Sequence, residues 1–407
     1  MIPRFKADFG LAELGAALSP SGPAPQALSA FEQGFAALFG QQHAIASPYG
    51  RTGLILLLNA MRLEGDEVLC PAYTCLVVPE AIEKSGNHTV FVDCTAQDYN
   101  VDFDLLDQAV SPKTKAFIAT SIFGHPLNLD KLAAFKARHP QIKIIQDCAH
   151  SFAAEWQGQS VVPQADAALF GLNISKTISS VFGGMVTTDD TALAARLREI
   201  SSARLSAPNW LKSVKRRLYL IAAMTAFTRP IYKFVNMLER ARFLDRFTVY
   251  HDDTSVFMPN DYLENIGAFE ARIGLIQTRK YSEIIAHRRQ IAALYFEHLS
   301  AVSGPDFILP ANDLGATYSH FAIRTPHAAE IINTCRRRGI QLGTLIDYHC
   351  PDNGAFQNAR YVGHRVAAHW PGSMINLPVQ KSLKADEATK ISEIIAEAVI
   401  AQRAFLT

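Results

Sequence analysis

The feature that most constrains the fold is the stretch from Lys143 to Asp190, which contains two short apolar, strand-like runs that each lead to an ionisable residue. The first run covers residues 143–146 and ends at Asp147. The second covers residues 167–170 and is followed a few residues later by Lys176. In an open parallel sheet, ligands bind beyond the carboxyl ends of the strands. The pattern therefore predicts that Asp147 and Lys176 face one crevice.

An acid and an amine in one crevice indicate pyridoxal phosphate chemistry. The lysine forms a Schiff base with the cofactor aldehyde, and the carboxylate keeps the pyridine nitrogen protonated, so that the ring accepts the electrons of a substrate carbanion. Burial that lowers the lysine pKa also makes the amine a competent base. The alternative is structural: Asp147 caps a helix that begins near Ala149, and Lys176 is a solvated loop lysine.

Short apolar strands alternate with helices along the chain, which predicts an α/β fold with a large, doubly wound, mostly parallel sheet. At 407 residues the chain exceeds one typical core. We expect a large cofactor-binding domain at residues 1–255 and a small C-terminal α/β domain at residues 256–407. Two helices are expected early in the small domain, at residues 262–278 and 281–299. The predicted strands of the large sheet are 43–47, 68–70, 89–93, 116–120, 143–146 and 167–170.

Composition excludes several classes of protein. The formal net charge is +1, so the whole molecule offers no case for nucleic acid binding. Six cysteines are scattered without CxxC spacing, which indicates neither a zinc site nor a disulfide framework. The first twenty residues lack the basic start and long apolar core of a signal peptide. These features together predict a cytoplasmic enzyme without a metal.

A phosphate site is predicted where the strand at residues 43–47 turns into an apolar helix at residues 54–61. Gly50, Arg51 and Thr52 lie at this turn. Free backbone N–H groups at a helix N-terminus bind phosphate, and Arg51 adds a positive charge. The alternative is an ordinary turn with an exposed arginine.

The order of several short motifs resembles the DegT/StrS family of fold-type-I, pyridoxal-phosphate-dependent aminotransferases. Each motif alone is weak, but their shared order over roughly residues 28–400 is specific. The resemblance implies transfer of an amino group from a donor such as glutamate to a keto group, most often on a sugar attached to a nucleotide. It also implies a homodimer with the cofactor at the subunit interface. The motifs are Gly50-Arg51-Thr52-Gly53, residues 65–74, Phe123-Gly124-His125-Pro126, Asp147-Cys148-Ala149-His150, Ser175-Lys176 and residues 182–188.

The resemblance also implies roles for individual residues. Lys176 forms the Schiff base, Asp147 contacts the pyridine nitrogen, and His150 lies near the cofactor ring, although a histidine with a structural role at a helix start is the alternative. In the family, the loop that contains Tyr348 and His349 faces the active site. Both are candidates for orienting substrate, but such a pair in a loop is as often structural.

Departures from the family pattern concern the cofactor contacts. Gly171 replaces the usual phosphate-binding serine, so either Asn173, Ser175 or a backbone N–H substitutes for it, or the phosphate binds at a shifted position. Cys75 replaces an aromatic residue that stacks on the ring, so Tyr73 or another group must supply that packing. Elsewhere, Phe182 replaces an acidic residue, and Leu263-Glu264-Asn265 stands where a neighbouring subunit sends an asparagine toward the phosphate.

These departures put the usual sugar-nucleotide substrate in doubt. They leave two alternatives to amino transfer open. One is another reaction of the same cofactor, such as dehydration or carbon–carbon bond formation. The other is a protein that binds the cofactor without turnover and serves as a sensor or scaffold.

A basic helical insertion is predicted at about residues 209–247. Residues 210–246 contain nine basic and two acidic side chains, a local charge of +7, around the apolar run 218–227. That run is shorter than the roughly 20 residues that cross a bilayer. Such a segment lies on an anionic membrane surface, which would attach the enzyme to the inner face of the membrane. Alternatively it packs on the protein's own core or on a second subunit.

Overall fold

The computed structural model of the chain describes residues 1–20, 22–241 and 251–406. Its centre is an eight-stranded sheet in which five neighbouring pairs, from β8 to β11, are parallel, and β9 is antiparallel to both β8 and β1. This is the doubly wound, mostly parallel α/β fold that the sequence predicts. The strand order is β1 (His43–Ser47), β9 (Gly184–Thr188), β8 (Ala167–Gly171), β5 (Lys143–Asp147), β4 (Thr114–Thr120), β2 (Glu67–Pro71), β3 (His88–Val92) and β11 (Arg360–Val362).

Two smaller sheets accompany the large one. A short hairpin consists of β6 (Glu155–Trp156) and β7 (Gln159–Ser160), and an antiparallel pair consists of β10 (Phe321–Arg324) and β12 (Met374–Leu377). The pair β10 and β12 belongs to a separate apolar core formed by the C-terminal part of the chain. The structure thus has a second, smaller α/β unit beside the large sheet.

Helices cover both faces of the large sheet, because its central strands are buried on both sides. Side-chain caps fix several helix starts; Asn128 Oδ1, for example, accepts from the Lys131 N–H at 2.9 Å at the start of α6. The helices are α1 (Leu11–Leu18), α2 (Ala24–Leu38), α3 (Gly50–Ala60), α4 (Val77–Lys84), α5 (Phe103–Ala109), α6 (Leu129–Arg138), α7 (Thr191–Arg204), α8 (Trp210–Ala226), α9 (Arg229–Arg240), α10 (Ala268–Leu299), α11 (Ala328–Arg337) and α12 (Ala385–Leu406).

Two details of the C-terminal part differ from the sequence prediction. The helices expected at 262–278 and 281–299 are one continuous helix, α10, which begins only at Ala268. Its buried side continues through Thr278 and Tyr281, and no glycine or proline interrupts it there. In addition, β11 comes from the range predicted for the small domain but pairs with β3 in the large sheet.

The predicted basic insertion forms the helices α8 and α9. Residues 242–250, with Arg242, Asp245 and Arg246, lie outside the described residues, as do the side chains of Arg229, Glu239 and Arg240. Among the helices that the structure describes, none combines the length and the apolarity needed to cross a bilayer.

Candidate active site

A cavity of about 470 Å³ lies at the carboxyl ends of the central strands. Its lining includes the last residues of three neighbouring strands, namely Thr120 of β4, Asp147 of β5 and Gly171 of β8. Thr120 and Asp147 are register partners, which places them side by side at this edge. The cavity therefore occupies the edge where parallel α/β sheets bind their ligands.

Asp147 is a buried carboxylate at the end of β5, with 5% of its surface exposed. Its Oδ1 accepts a hydrogen bond from the Ala149 N–H at 3.0 Å. Burial raises the pKa of Asp147, while this hydrogen bond and the positive charge of Lys176 oppose the rise. The carboxylate is thus fixed in orientation and ready to pair with a cation in the cavity.

Lys176 is positioned by a tight turn after β8. The Asn173 Oδ1 atom accepts from the Ser175 N–H at 3.1 Å and from Ser175 Oγ at 2.6 Å, and the Lys176 N–H donates to the Asn173 carbonyl at 3.0 Å. Burial lowers the pKa of Lys176, and the neighbouring Cys75 and Asp147 oppose this. A lowered pKa favours the neutral, nucleophilic amine.

Three glycines bring backbones close together beside this lysine. A Cβ on Gly171 would lie 3.4 Å from Lys176 Cε, and a Cβ on Gly50 would lie 3.3 Å from the Gly171 Cα. A Cβ on Gly184 would lie only 2.5 Å from the Gly50 N atom. The missing side chain at Gly171, where the family has a serine, thus leaves space beside the stem of the lysine, and the missing side chain at Gly50 lets the start of α3 approach the end of β8.

The start of α3 faces the cavity. Tyr49 is its N-cap residue and forms no side-chain cap, and the first intrahelical bond runs from the Gly53 N–H to the Tyr49 carbonyl at 3.0 Å. The N–H groups of Gly50, Arg51 and Thr52 therefore have no partner within the helix. Such a helix end binds an anionic group.

A network of charged and hydroxyl groups lies next to the start of α3. Arg216 of α8 donates to Tyr49 Oη at 2.8 Å and to Asp261 Oδ2 at 2.5 Å, and Tyr49 donates to Asp261 Oδ1 at 2.6 Å. The Arg216 guanidinium also lies 3.6 Å from the centre of the Phe182 ring. Burial is the largest influence on Asp261 and raises its pKa, but the hydrogen bond from Tyr49 and the charge of Arg216 outweigh it and lower the pKa. One of the arginines of the predicted membrane-binding segment is thus bonded to Tyr49, which lines the cavity.

Two histidines line the other side of the cavity. His150 Nδ1 accepts from the Phe123 N–H at 3.3 Å, and its ring lies 4.9 Å from that of His320. Burial and the charge of Lys176 hold the pKa of His150 well below its usual value, and they lower that of His320 to about 3. Both rings are therefore neutral at physiological pH.

Most of the residues predicted for the site line this cavity. They are Gly50, Arg51, Cys75, Asp147, His150, Asn173, Ser175, Lys176 and Tyr348.

Three predicted residues do not line the cavity. Thr52 donates its hydroxyl to the Tyr262 carbonyl at 2.9 Å, so only its backbone belongs to the helix start. The Tyr73 ring is fully buried against Trp370, at 4.9 Å between centroids, and its hydroxyl donates to the Ile346 carbonyl. His349 is buried and contacts Asp352 at 3.0 Å. The expectation that Tyr73 packs on the cofactor ring is not supported, because its ring belongs to an aromatic cluster of the core.

Thr120 and His320 also line the cavity, although neither was predicted from the sequence. Thr120 ends a predicted strand, and the rule that placed Asp147 at the sheet edge would have found it as well. Its Oγ1 is buried and has no hydrogen-bond partner in the part of the chain that the structure describes. His320 is almost 150 residues away from Lys176 in sequence, and no local pattern signals its position.

The lining fits pyridoxal phosphate. A buried amine and a buried carboxylate share the cavity, a helix start offers N–H groups for the phosphate, and the unpartnered Thr120 hydroxyl needs a ligand. This fold and this pair of residues define the fold-type-I class of pyridoxal-phosphate-dependent enzymes.

Comparison with protein families agrees with that class. The DegT/DnrJ/EryC1/StrS aminotransferase family model matches residues 21–226 and 237–396. The chain therefore belongs to this family and is a pyridoxal-phosphate-dependent aminotransferase. This confirms the resemblance seen in the sequence.

Solved structures with similar folds share little sequence with the chain. DesI, solved with its TDP-sugar product, has a TM-score of 0.76 at 19% identity, over 100% of this chain and 94% of DesI. Helicobacter pylori PseC, an aminotransferase involved in the biosynthesis of pseudoaminic acid, has a TM-score of 0.76 at 16% identity, over 98% of this chain and 99% of PseC. GDP-4-keto-6-deoxymannose-3-dehydratase, solved with a trapped PLP-glutamate geminal diamine, has a TM-score of 0.76 at 18% identity, over 97% of this chain and 100% of the dehydratase. Similarity at these identities establishes the fold.

Proposed function

We propose that the enzyme transfers the amino group of glutamate to the ketone of a sugar that is linked to a nucleotide or lipid carrier. The observation that carries the proposal is the shared cavity of Lys176 and Asp147 at the sheet edge. The sugar acceptor is supported by the TDP-sugar named for DesI and by the biosynthetic role named for PseC. Glutamate is supported by its adduct in the dehydratase structure.

Lys176 and Asp147 perform the central steps. The bound cofactor supplies an aldehyde and a ring that takes up electrons. Lys176, whose pKa burial lowers, would hold the cofactor through its amine and, once the donor amine takes that place, would move the proton at the reacting carbon. Asp147, which lines the same cavity, would hold a proton at the ring nitrogen of the bound cofactor and stabilise the positive charge there.

Other residues would bind the phosphate of the cofactor. The N–H groups of Gly50, Arg51 and Thr52 at the start of α3 hold the phosphate, together with Asn173 or Ser175 after β8.

The ring contacts and the substrate contacts come from other parts of the cavity. His150 and Cys75 line the cavity and would lie against the cofactor ring. The neutral His150 ring accepts from the Phe123 N–H, which fixes its orientation. Tyr348 lines the cavity and orients substrate. His349 contacts Asp352 instead and supports the loop that contains Tyr348.

A half-reaction tests this proposal without knowledge of the acceptor. Glutamate added to the purified holoenzyme should convert its visible absorbance band to one near the ultraviolet and release 2-oxoglutarate in equal amount. A band that does not respond to glutamate or to other amino acids contradicts amino transfer and favours a non-catalytic binding protein.

Dehydration of a keto-sugar is the second candidate, since a dehydratase is among the structures with this fold. Mass spectrometry of products from a panel of keto-sugars separates the two reactions. An aminated sugar supports the proposal, and a sugar that has lost water without gaining nitrogen supports dehydration.

We also propose that α8 and α9 rest on an anionic membrane surface, which would attach the enzyme to the inner face of the membrane. The outward side of α8 is apolar: Leu211, Val214 and Leu218 are 44%, 40% and 61% exposed. On α9, Phe234 is 56% exposed next to the exposed Lys233. Apolar side chains among lysines fit an anionic lipid surface. A self-complementary subunit contact at this side would instead bring like charges together.

Vesicle flotation tests this attachment. The protein should float with phosphatidylglycerol-containing vesicles, and Leu218→Glu together with Phe234→Glu should abolish flotation. The matched control is Leu314→Glu, because Leu314 is 91% exposed elsewhere on the surface. Equal flotation of all three proteins, or none, rules out the membrane contact.

The enzyme is further proposed to be a homodimer, as its family resemblance implies. In the chain itself, Asn265 Oδ1 accepts from the Ile266 N–H at 2.8 Å, and Lys212 donates to the Asn265 carbonyl at 3.1 Å. This segment is thus ordered within one subunit. Light scattering of the holoenzyme at several concentrations checks the dimer, and a constant mass of 44.8 kDa would contradict it.

A further inference from the structure

A second chamber of about 510 Å³ adjoins the cofactor cavity. Ser175, His320, Thr344 and Leu345 line both spaces. Ser175 precedes Lys176, so the second chamber begins next to the reactive amine. A substrate whose reacting carbon is at Lys176 can therefore extend into the second chamber.

The second chamber contains a buried positive charge that lacks an ion-pair partner. Arg288 of α10 is 4% exposed, and its Nη1 donates to the carbonyls of Tyr318 at 3.3 Å and Ser319 at 2.9 Å. Its Nε is buried without a hydrogen-bond partner, and Arg288 forms no ion pair with a carboxylate within the described ranges. The negative charge of Asp8 attracts the Arg288 guanidinium without a hydrogen bond between the two groups. A buried guanidinium that hydrogen-bonds only to carbonyls and is attracted by a carboxylate only at a distance is costly unless an anion joins it.

A second arginine faces the same space. Arg4 lines the second chamber, and its Cδ lies near Gly343, another lining residue, where an added Cβ would be 3.4 Å away. Guanidinium groups bind phosphate oxygens in pairs of hydrogen bonds. Two such groups around one chamber suit a ligand with several anionic oxygens.

The outer wall of the second chamber is apolar and comes from two segments that are distant in sequence. Phe5 near the N-terminus meets Phe227 at the end of α8, with ring centroids 5.8 Å apart at 89°. Val235 of α9 and Leu377 and Val379 of the small unit complete the apolar lining. An anionic end and an apolar end thus lie within one space.

Gln341 forms hydrogen bonds to both the N-terminal segment and α9. Its Oε1 accepts from the Arg4 N–H at 3.4 Å and from the hydroxyl of Tyr232, which also lines the second chamber. Residues 1–20 and 227–236 lie outside both ranges that the family model matches. Phe5, Phe227 and Val235 of the outer wall therefore come from parts of the chain that the family model does not match.

We propose that the second chamber binds the diphosphate of the keto acceptor and the apolar group next to it, with Arg288 and Arg4 on the diphosphate and Phe5, Phe227 and Val235 on the apolar group. The inference rests on the proposed function, because it assigns the part of the acceptor beyond the sugar. A nucleotide carrier and a lipid carrier both supply a diphosphate, and the experiment distinguishes them.

Calorimetric titration of the holoenzyme with three probes tests the proposal. The probes are inorganic pyrophosphate, thymidine diphosphate and geranyl diphosphate. At least one should bind saturably. Arg4→Gln should weaken that binding about tenfold, as expected for the loss of one charged phosphate contact of about 1.4 kcal/mol. Lys6→Gln is the matched control, since it removes a charge from the same segment outside the chamber lining.

A filling variant tests the apolar part. Val235→Trp should weaken geranyl diphosphate or thymidine diphosphate at least tenfold, whereas Ala222→Trp, on the exposed side of α8, should not. Tighter binding of geranyl diphosphate identifies a lipid carrier, and tighter binding of thymidine diphosphate identifies a nucleotide carrier.

The glutamate half-reaction separates this inference from the proposed function. All variants should retain the absorbance change with glutamate at wild-type rate. Failure of the wild type to respond to glutamate would overturn the proposed function. The second-chamber assignment is overturned if no probe binds, if the variants bind the probes as the wild type does, or if Val235→Trp slows the glutamate step as strongly as it weakens the probes.

Discussion

Replacement of Asp147 by Asn separates its catalytic role from its structural one. Asparagine keeps the shape of the side chain and can still accept from the Ala149 N–H, the hydrogen bond that orients Asp147. It removes the negative charge and replaces the second carboxylate oxygen, an acceptor, by an amide nitrogen that donates. Any loss of activity therefore measures the value of that charge opposite the protonated ring nitrogen.

The magnitude follows from the burial of the carboxylate. Asp147 is 5% exposed, so an effective dielectric constant of about 20 applies, and two unit charges about 3 Å apart attract by about 5 kcal/mol. A neutral hydrogen bond from asparagine recovers about 1–2 kcal/mol. The difference of about 3–4 kcal/mol corresponds to a roughly 10²–10³-fold slower reaction.

Stopped-flow absorbance of the glutamate half-reaction measures this effect. The stability of the apoprotein should not fall, because burial raises the pKa of Asp147. At pH values above the ordinary pKa of an aspartate, the ionised Asp147 therefore lowers the stability of the folded apoprotein. Asparagine is neutral and removes this destabilisation. The matched control is Asp190→Asn, since Asp190 accepts from the Ala192 N–H at 2.8 Å far from the cavity. A rate within about threefold of wild type for Asp147→Asn would refute the assigned role.

Three further variants test other parts of the site. Lys176→Ala should lose the visible absorbance band, and borohydride should no longer fix the cofactor to the protein; an adduct retained on another lysine would contradict the assignment. Arg216→Gln removes the charge that faces Asp261 and should lower the free energy of unfolding by about 2 kcal/mol, measured by urea denaturation, because a partly buried carboxylate loses its partner. Gly184→Ala should weaken cofactor binding at least tenfold in a fluorescence titration, because the added Cβ would lie 2.5 Å from the Gly50 N atom and must displace the start of α3.

Each of these variants has a control of the same chemistry. Lys143→Ala removes an exposed lysine that pairs with Asp166 at 2.9 Å and should leave the absorbance band intact. Arg138→Gln breaks an exposed ion pair and should cost less than about 1 kcal/mol. Gly15→Ala places a Cβ where nothing lies within 4 Å and should leave cofactor binding unchanged. Equal effects in a variant and its control would contradict the reasoning for that site.

The sheet edge was predictable from the sequence because it depends on local patterns. Apolar runs of strand length gave the positions of β4, β5 and β8, and a general property of parallel sheets then placed Asp147 and the loop to Lys176 at one edge. The start of α3 was predictable for the same reason, since glycine and threonine after a strand mark a helix N-terminus.

Other parts of the site depend on tertiary contacts that no local pattern records. His320 enters the cavity from the C-terminal part of the chain. Tyr73 was a candidate for ring packing because it lies two residues before Cys75, but its ring packs against Trp370, almost 300 residues later. β11 is three residues long and is held by its pairing with β3, so its own sequence carries little signal.

The helix α8 illustrates why charge counted along a sequence overestimates charge at a surface. Three of its basic side chains bond within the molecule: Lys212 to the carbonyls of Glu264 and Asn265, Arg216 to Asp261, and Arg217 to carbonyls near the end of α1. Its apolar residues, such as Leu218, face outward. Much of the basic charge that the sequence places in α8 is thus bonded within the molecule, and the outward side is mainly apolar. Membrane attachment through α8 must therefore draw more on apolar burial than on charge, so flotation should persist at salt concentrations that screen exposed lysines.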